Sequence, residues 1–349
     1  MVRRYAAASL ETMILLPSWQ DIAGHEGSAK ESKEDIHMPK DEHTEPEADG
    51  SRRPEAFSLQ AILRPDDFRT EMIRAGNLRM HAVVEGPEHG RLVVMLHGFP
   101  EFWYSWRYQI KALAAAGYRV VAVDQRGYNL TEKRGPYDVF TLAVDVVGLV
   151  HALGCERAVV VGNDWGGVVA WVLGARHPNL VERLIVCNAP HPSAGLAALR
   201  SLYLPQILKS WYVLAFQVPI LPELLTSAND YEVFAHALKQ QTKGAIGDEE
   251  IAYFKRAWAQ PGALTAGINW YRAAMRSWAR DRIKNLTVHA PSLLIWGDQD
   301  AYLTTRTAEW TRRYVPNLTL KYIQGASHWV QQDSSELVNR YMLDFLRGR

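Results

Sequence analysis

The sequence predicts an α/β fold: a mostly parallel central sheet with helices on both faces and one inserted helical segment. Three observations predict it. From about Pro65 to Cys187, short apolar runs alternate with stretches of helical periodicity, the pattern of parallel strands joined by crossover helices. Over residues 191–282 the alternation stops, and the chain becomes rich in Trp, Tyr and Ala, interrupted by Pro205, Pro219, Pro222 and Pro261. At Ser292 the strand pattern resumes. A chain of 349 residues, 48% apolar and 22% charged, is long enough for one large α/β domain carrying an insertion.

The elements follow in order. Phe68 to Ile73 and Leu78 to Val84 are expected as paired strands around a Gly76-Asn77 turn. Leu92 to Leu96 is a continuous apolar run, as in a strand buried on both faces. Tyr104 to Ala116 reads as a helix ended by Gly117. Tyr118 to Val123 is a strand, Thr141 to Leu153 a helix, Arg157 to Val161 a strand, Gly166 to His177 a helix and Val181 to Cys187 a strand. After the insertion come a strand at Ser292 to Trp296, a helix at Thr304 to Tyr314, a strand at Leu318 to Ile323 and an amphipathic helix at Ser335 to Leu346. The core is thus expected from 66–190 and 283–349, with 191–282 as a helical lid over the sheet edge where ligands bind.

Residues 1–65 are expected to be a disordered extension. His25 to Gly50 holds nine Asp or Glu, three Lys and almost no large apolar side chain, too little to offset the entropy of ordering. No run of 18 apolar residues suits a membrane span. Glu11 interrupts the only candidate signal region, so a cytoplasmic location is expected and membrane contact is not. A net charge of +1 gives no excess of positive charge for nucleic acid. Two cysteines, Cys155 and Cys187, cannot form a disulfide framework or a zinc cluster. Twelve Trp and fifteen Tyr point to an aromatic pocket.

The chemistry centres on Gly162-Asn163-Asp164-Trp165-Gly166-Gly167, set between a strand and a helix. Small residues around a central nucleophile permit the strained elbow that pushes that side chain into a pocket. The usual serine is Asp164 here. A carboxylate attacks carbon and forms an alkyl ester, and a helix N-terminus favours its ionised form. On this motif alone, an ordinary Asp helix cap is an equally good reading.

The loop His97-Gly98-Phe99-Pro100 can aim the Phe99 N–H into the same pocket. With the Trp165 N–H it would make an oxyanion hole. His97 itself reads as a structural hydrogen-bonding residue. Asp300 follows one late strand and His328 the last. The order nucleophile, acid, histidine matches a nucleophile–base–orienter triad, with His328 as base, Asp300 as orienter and Asp298 as the rival acid.

Taken together these pieces resemble a soluble-type epoxide hydrolase of the α/β-hydrolase superfamily. The match runs over about 66–349 through His97-Gly98-Phe99-Pro100-Glu101, Trp103-Tyr104-Ser105-Trp106-Arg107, Asp164-Trp165-Gly166-Gly167, Asn269-Trp270-Tyr271-Arg272, Gly297-Asp298-Gln299-Asp300 and Ser327-His328-Trp329. The resemblance implies two lid tyrosines on the epoxide oxygen, Tyr271 and Tyr212, with Tyr203 as fallback for the second. Phe99, Trp165, Tyr212 and Tyr271 would then touch substrate. It implies a small apolar epoxide and water as reactants, and no metal or organic cofactor.

Two positions depart from the family pattern: Asn163 stands where His is usual, and Asn129 replaces a glycine in Arg126-Gly127-Tyr128-Asn129, which an αL-tolerant Asn can do. The nearest alternative is a haloalkane dehalogenase using the same Asp and His. That enzyme has no need of the tyrosines and usually carries a polar halide ligand at Phe99. A fluoroacetate dehalogenase would want Arg at Trp165, and an esterase a Ser or Cys at Asp164. A silent ligand-binding protein has no need of Asp164, Asp300 and His328 together.

Overall fold

The computed structural model describes residues 63–278 and 286–349. The extension expected over 1–65 thus lies outside the described residues up to 62, as does the expected end of the insertion at 282. Leu63 to Pro65, assigned to that extension, have tertiary partners: the Tyr104 hydroxyl donates to the Leu63 carbonyl, and Arg64 pairs with Glu249.

Eight strands form one sheet: β1 Thr70–Ala75, β2 Leu78–Glu85, β3 Leu92–Leu96, β4 Arg119–Val123, β5 Ala158–Asn163, β6 Val181–Cys187, β7 Ser292–Gly297 and β8 Leu318–Ile323. Their spatial order is β1-β2-β4-β3-β5-β6-β7-β8. The β1–β2 and β2–β4 pairs are antiparallel, and β4 through β8 run parallel.

Period-two patterning divides the core. Val94 and Leu96 of β3, Val121 and Val123 of β4, and Val160 of β5 pack into one apolar cluster. Val93, Met95, Val120, Ala122, Val159 and Val161 pack into the other. Successive side chains of a strand point to opposite faces, so both faces of these central strands are buried. Helices cover both. The core helices are α1 Arg107–Ala115, α2 Val139–Ala152, α3 Trp165–Arg176, and, after the insertion, α10 Thr305–Thr311, α11 Val330–Asp333 and α12 Ser335–Leu346. Trp171 of α3 and Leu149 of α2 belong to the first cluster, Ile110 of α1 and Met342 of α12 to the second.

Several expected boundaries shift by a few residues, and two of the shifts have a visible cause. The first strand begins at Thr70 because Phe68 is buried against Trp103, ring centroids 5.1 Å apart. The helix expected from Tyr104 opens as a 3-10 turn, Trp103–Trp106, whose first N–H donates to Asp124 Oδ1 at 3.1 Å.

Between β6 and β7 lie α4 Pro192–Arg200, α5 Leu204–Lys209, α6 Trp211–Ala215, α7 Leu221–Gln241, α8 Asp248–Trp258 and α9 Ala263–Trp278. Helix α7 is broken at Ala228–Tyr231, which leave helical geometry. The insertion joins both clusters: Phe216, Trp270 and Tyr271 enter one, Phe234 and Phe254 the other. The loops after β3, β5, β6, β7 and β8 all leave the same sheet edge, where open α/β sheets bind ligands.

Candidate active site

Asp164 stands between β5 and α3 with φ 48° and ψ −120°, and its side chain makes no cap bond to the helix. The ordinary cap reading therefore fails, and a non-glycine residue in this region marks stored strain. Close packing explains the surrounding glycines: a Cβ on Gly166 would sit 2.1 Å from the Leu96 carbonyl oxygen, and one on Gly98 2.6 Å from Asp164 Cβ. The turn and the Gly98–Phe99 loop can approach only without side chains.

That approach places the Phe99 N–H 3.0 Å from Asp164 Oδ1, to which it donates. The other oxygen, Oδ2, lies 3.5 Å from His328 Nε2. His328 Nδ1 is 2.7 Å from Asp300 Oδ2. Asp300 is held from every side: Asn188 Nδ2 donates to Oδ2 at 2.8 Å, and the N–H groups of Tyr302 and Leu303 donate to Oδ1 at 2.7 and 2.9 Å. Asp298 is placed elsewhere, its Oδ1 accepting from the Gly325 N–H at 2.7 Å. Geometry thus brings together Asp164, His328 and Asp300 and leaves Asp298 out.

Charge follows this arrangement. Burial opposes a charged His328, yet Asp300 and Asp164 outweigh it and hold the imidazole at about 10. Burial likewise works against ionised Asp300, but His328, Asn188 and the Tyr302 amide keep it below the usual carboxylate range. Asp300 and Asp164 thus flank the imidazole and both favour its charged form.

The insertion supplies phenols. Tyr212 of α6 and Tyr271 of α9 have ring centroids 5.9 Å apart. Tyr271 also packs edge-on to Phe99 at 5.2 Å and Trp165 at 5.0 Å. Burial and the nearby Asp164 charge raise both hydroxyls well above the ordinary phenol value, so both are neutral donors. Tyr203, the fallback, packs against Trp310 and under Arg306 instead, away from these rings. Arg272 clasps the segment: it donates to the carbonyls of Phe216 and Val218 at 2.9 Å each and pairs with Glu223 at 2.7 Å.

Other sequence readings find their places. Buried His97 has its Nδ1 2.8 Å from the Gly98 carbonyl and accepts the Gln125 N–H at Nε2, as a structural residue would. Asn163 Nδ2 donates to the carbonyls of Cys187 and His328, 3.2 Å each, so it ties the nucleophile turn to the histidine loop. Asn129 has φ 38°.

Two residues were not singled out by sequence. Asn188, at φ 40°, orients Asp300; its only signal is an Asn directly after a buried strand. Glu101 is buried, and burial pushes its carboxyl up to about 8. It accepts from Gln331 Nε2 at 3.2 Å and Gln332 Nε2 at 2.5 Å, and Arg107 bridges Gln332 to Glu250 of α8. A mostly apolar cleft bordered by Phe99, Tyr128, Phe234, Trp258 and Leu264 adjoins the Phe99 loop. Among the described residues no group of three or more His, Cys, Asp or Glu is set to hold a metal, and no helix is long and apolar enough to cross a membrane.

A carboxylate–histidine–carboxylate set on the strand ends of such a sheet is the arrangement expected of an α/β-hydrolase. The family model for the alpha/beta hydrolase fold matches residues 91–335, and the chain belongs to that family. Several of its relatives within that family are epoxide hydrolases. Human epoxide hydrolase 4 is 38% identical over 309 residues, covering 85% of this chain and 84% of its own. Epoxide hydrolase 2 of Caenorhabditis elegans is 36% identical over 289 residues, 80% of each. The AB hydrolase superfamily protein YfhM of Bacillus subtilis is 41% identical over 288 residues, 81% of this chain and all of its own. Among solved structures, an epoxide hydrolase of Bacillus megaterium bound to an inhibitor superposes with TM-score 0.72 at 27% identity, over 80% of this chain and all of that one.

Proposed function

We propose that this chain hydrolyses an apolar epoxide to a vicinal diol through an ester on Asp164, with the helical insertion as a lid over the site. The observation that carries the reading is a carboxylate pinned by the Phe99 amide on one oxygen and faced by His328 on the other, beneath two neutral phenols. Tyr212 and Tyr271 donate to the epoxide oxygen. Asp164 Oδ2 attacks a ring carbon; the C–O bond of the ring breaks, and the developing alkoxide takes a phenolic proton. Oδ1 stays on the Phe99 N–H throughout.

Ester formation removes the Asp164 charge, one of the influences that hold His328 at about 10. The imidazole therefore becomes easier to deprotonate as the step that needs a base arrives. Neutral His328, oriented by Asp300, then takes a proton from water, which adds to the ester carbon. The oxyanion falls on Oδ1, facing the Phe99 and Trp165 amides. Collapse breaks the ester C–O bond and the added hydroxyl gives its proton to the leaving alkoxide, which restores the carboxylate and releases the diol. The phenolate has by then regained its proton from the imidazolium that became the base.

The test is a trap. His328→Gln keeps the nucleophile and loses the base. Incubated with styrene oxide, it should gain one substrate mass on the peptide containing Asp164, and Asp164→Asn should gain none. Diol formed by His328→Gln at the wild-type rate, without adduct, would overturn the mechanism. Bromide released from a bromoalkane by wild type, with no diol from any epoxide, would reassign the site to dehalogenation.

A further inference from the structure

Thirteen large apolar side chains are exposed among the described residues, and nine of them lie between Leu202 and Leu224. They include Leu202 at 77%, Ile220 at 68%, Leu214 at 64% and Leu224 at 62%. Apolar side chains exposed in such concentration mark a surface made for contact. The two most exposed, Leu202 and Ile220, sit on left-handed backbone, φ 52° and 68°. Branched residues rarely adopt that conformation. Here the chain presents apolar tips to solvent on strained turns.

Charge around the patch is one-sided. From Arg183 to Pro222 the sequence has no Asp or Glu, and Glu223 is committed to Arg272. The nearby cations are exposed: Arg200 ends α4, and Arg306 lies over Tyr203, between Leu202 and Leu204, and over Trp310. Arg313 lies over the same indole. Glu309, on the same helix, is taken by Arg312 and the Tyr322 hydroxyl. Trp211 adds a half-exposed indole within the patch.

We propose that the outer face of α5, α6 and the start of α7 docks on an anionic lipid surface. Apolar side chains with a tryptophan among them and arginines at the margin are what an interfacial segment needs. A second copy fits worse, since a symmetric contact on this face would set arginines against arginines, the carboxylates Glu223 and Glu309 being already paired. A missing spanning helix bears on crossing a bilayer, not on lying against one. Docking rests on none of the chemistry proposed above. Together with it, docking has a use: α6 carries Tyr212 along with exposed Trp211 and Leu214, so an apolar substrate dissolved in lipid would meet the protein beside its pocket.

The experiment is co-sedimentation of the full chain with vesicles of phosphatidylcholine alone or mixed with phosphatidylglycerol. Wild type should bind the mixed vesicles at least about tenfold better, and added salt should weaken that binding. Leu204→Glu/Leu214→Glu/Leu224→Glu should abolish it with little change in melting temperature. If that variant misfolds, Arg306→Gln/Arg313→Gln, which leaves the apolar face intact, should still lower binding to mixed vesicles several-fold. No binding of wild type to mixed vesicles would overturn the proposal. So would a wild-type dimer in analytical ultracentrifugation that the triple variant makes monomeric, because a second copy would then cover the face.

Discussion

Tyr212 and Tyr271 share one task on the proposed pathway, and sharing sets what each is worth. With one phenol left to donate, Tyr212→Phe or Tyr271→Phe should lower kcat/KM by about tenfold to a hundredfold, and the double variant by far more. Steady-state kinetics on one epoxide would show it; single variants within twofold of wild type would take the tyrosines out of the mechanism. At this scale the sequence was partly readable. Asp164, Asp300 and His328 were legible because glycine spacing and chain order are local patterns. Tyr212 was preferred to Tyr203 only through the resemblance, because two tyrosines nine positions apart in a helical stretch differ in which way their helices face. Asn188 and Glu101 were not legible. Their parts depend on what β6 and the Gly98 loop meet across space.

At the level of elements, Arg272 is the rivet of the insertion. It joins α9 to the turn after α6 through two carbonyls and to α7 through Glu223, and both charged side chains are largely buried. Arg272→Ala leaves Glu223 buried without its partner, a loss of about 3 kcal/mol or more. It also frees the helix carrying Tyr212. The expected result is a lower melting temperature together with a raised KM, read by calorimetry and kinetics. A variant with normal KM would show that α6 is held by its packing instead. Strands were well marked in the sequence because both faces of β3, β4, β5 and β7 are buried and their apolar runs are unbroken. Breaks inside the insertion were less so: Ala228–Tyr231 interrupt α7 without a proline or glycine to announce it.

For the molecule as a whole, two groups raised at or beside the site contribute to the pH dependence of stability. Glu101 has its folded-state value raised from 4.5 to about 8. The folded protein therefore holds a proton that the unfolded chain releases, and stability falls as pH rises across that window. His328, raised from 6.5 to about 10, acts with the same sign: its contribution is full below 6.5 and lost as pH climbs through 10. Asp300, held below 3.8, acts oppositely and loses its contribution in acid. Urea melts from pH 7 to 10 should show declining stability, by up to about 1.4 kcal/mol per pH unit for each group, while below 6.5 His97 and His191, pushed down by burial, oppose the decline. Glu101→Gln should flatten the lower part of that decline and leave the upper part in place. An unchanged slope between pH 7 and 8 would mean that Glu101 is ionised in the fold.

The insertion leaves the sheet after β6 and returns at β7, and these strands are direct neighbours, paired from Leu184–Ser292 to Cys187–Ile295. Because the pair is parallel, the connection leaves at Cys187 and re-enters at Ser292, beside Leu184, so the ladder fixes both ends one strand length apart, whatever lies between them. Closing a longer or shorter excursion over the same gap costs little, since loop entropy grows only slowly with length. Asp164 lies before that gap, and Asp300 and His328 lie after it. Heredity can thus revise the wall that selects a substrate while leaving untouched the three residues that would transform it. A chimera carrying a foreign helical excursion at this junction should still melt cooperatively, with altered substrate preference. A chimera that never folds would show that wall and sheet descend as one inseparable unit.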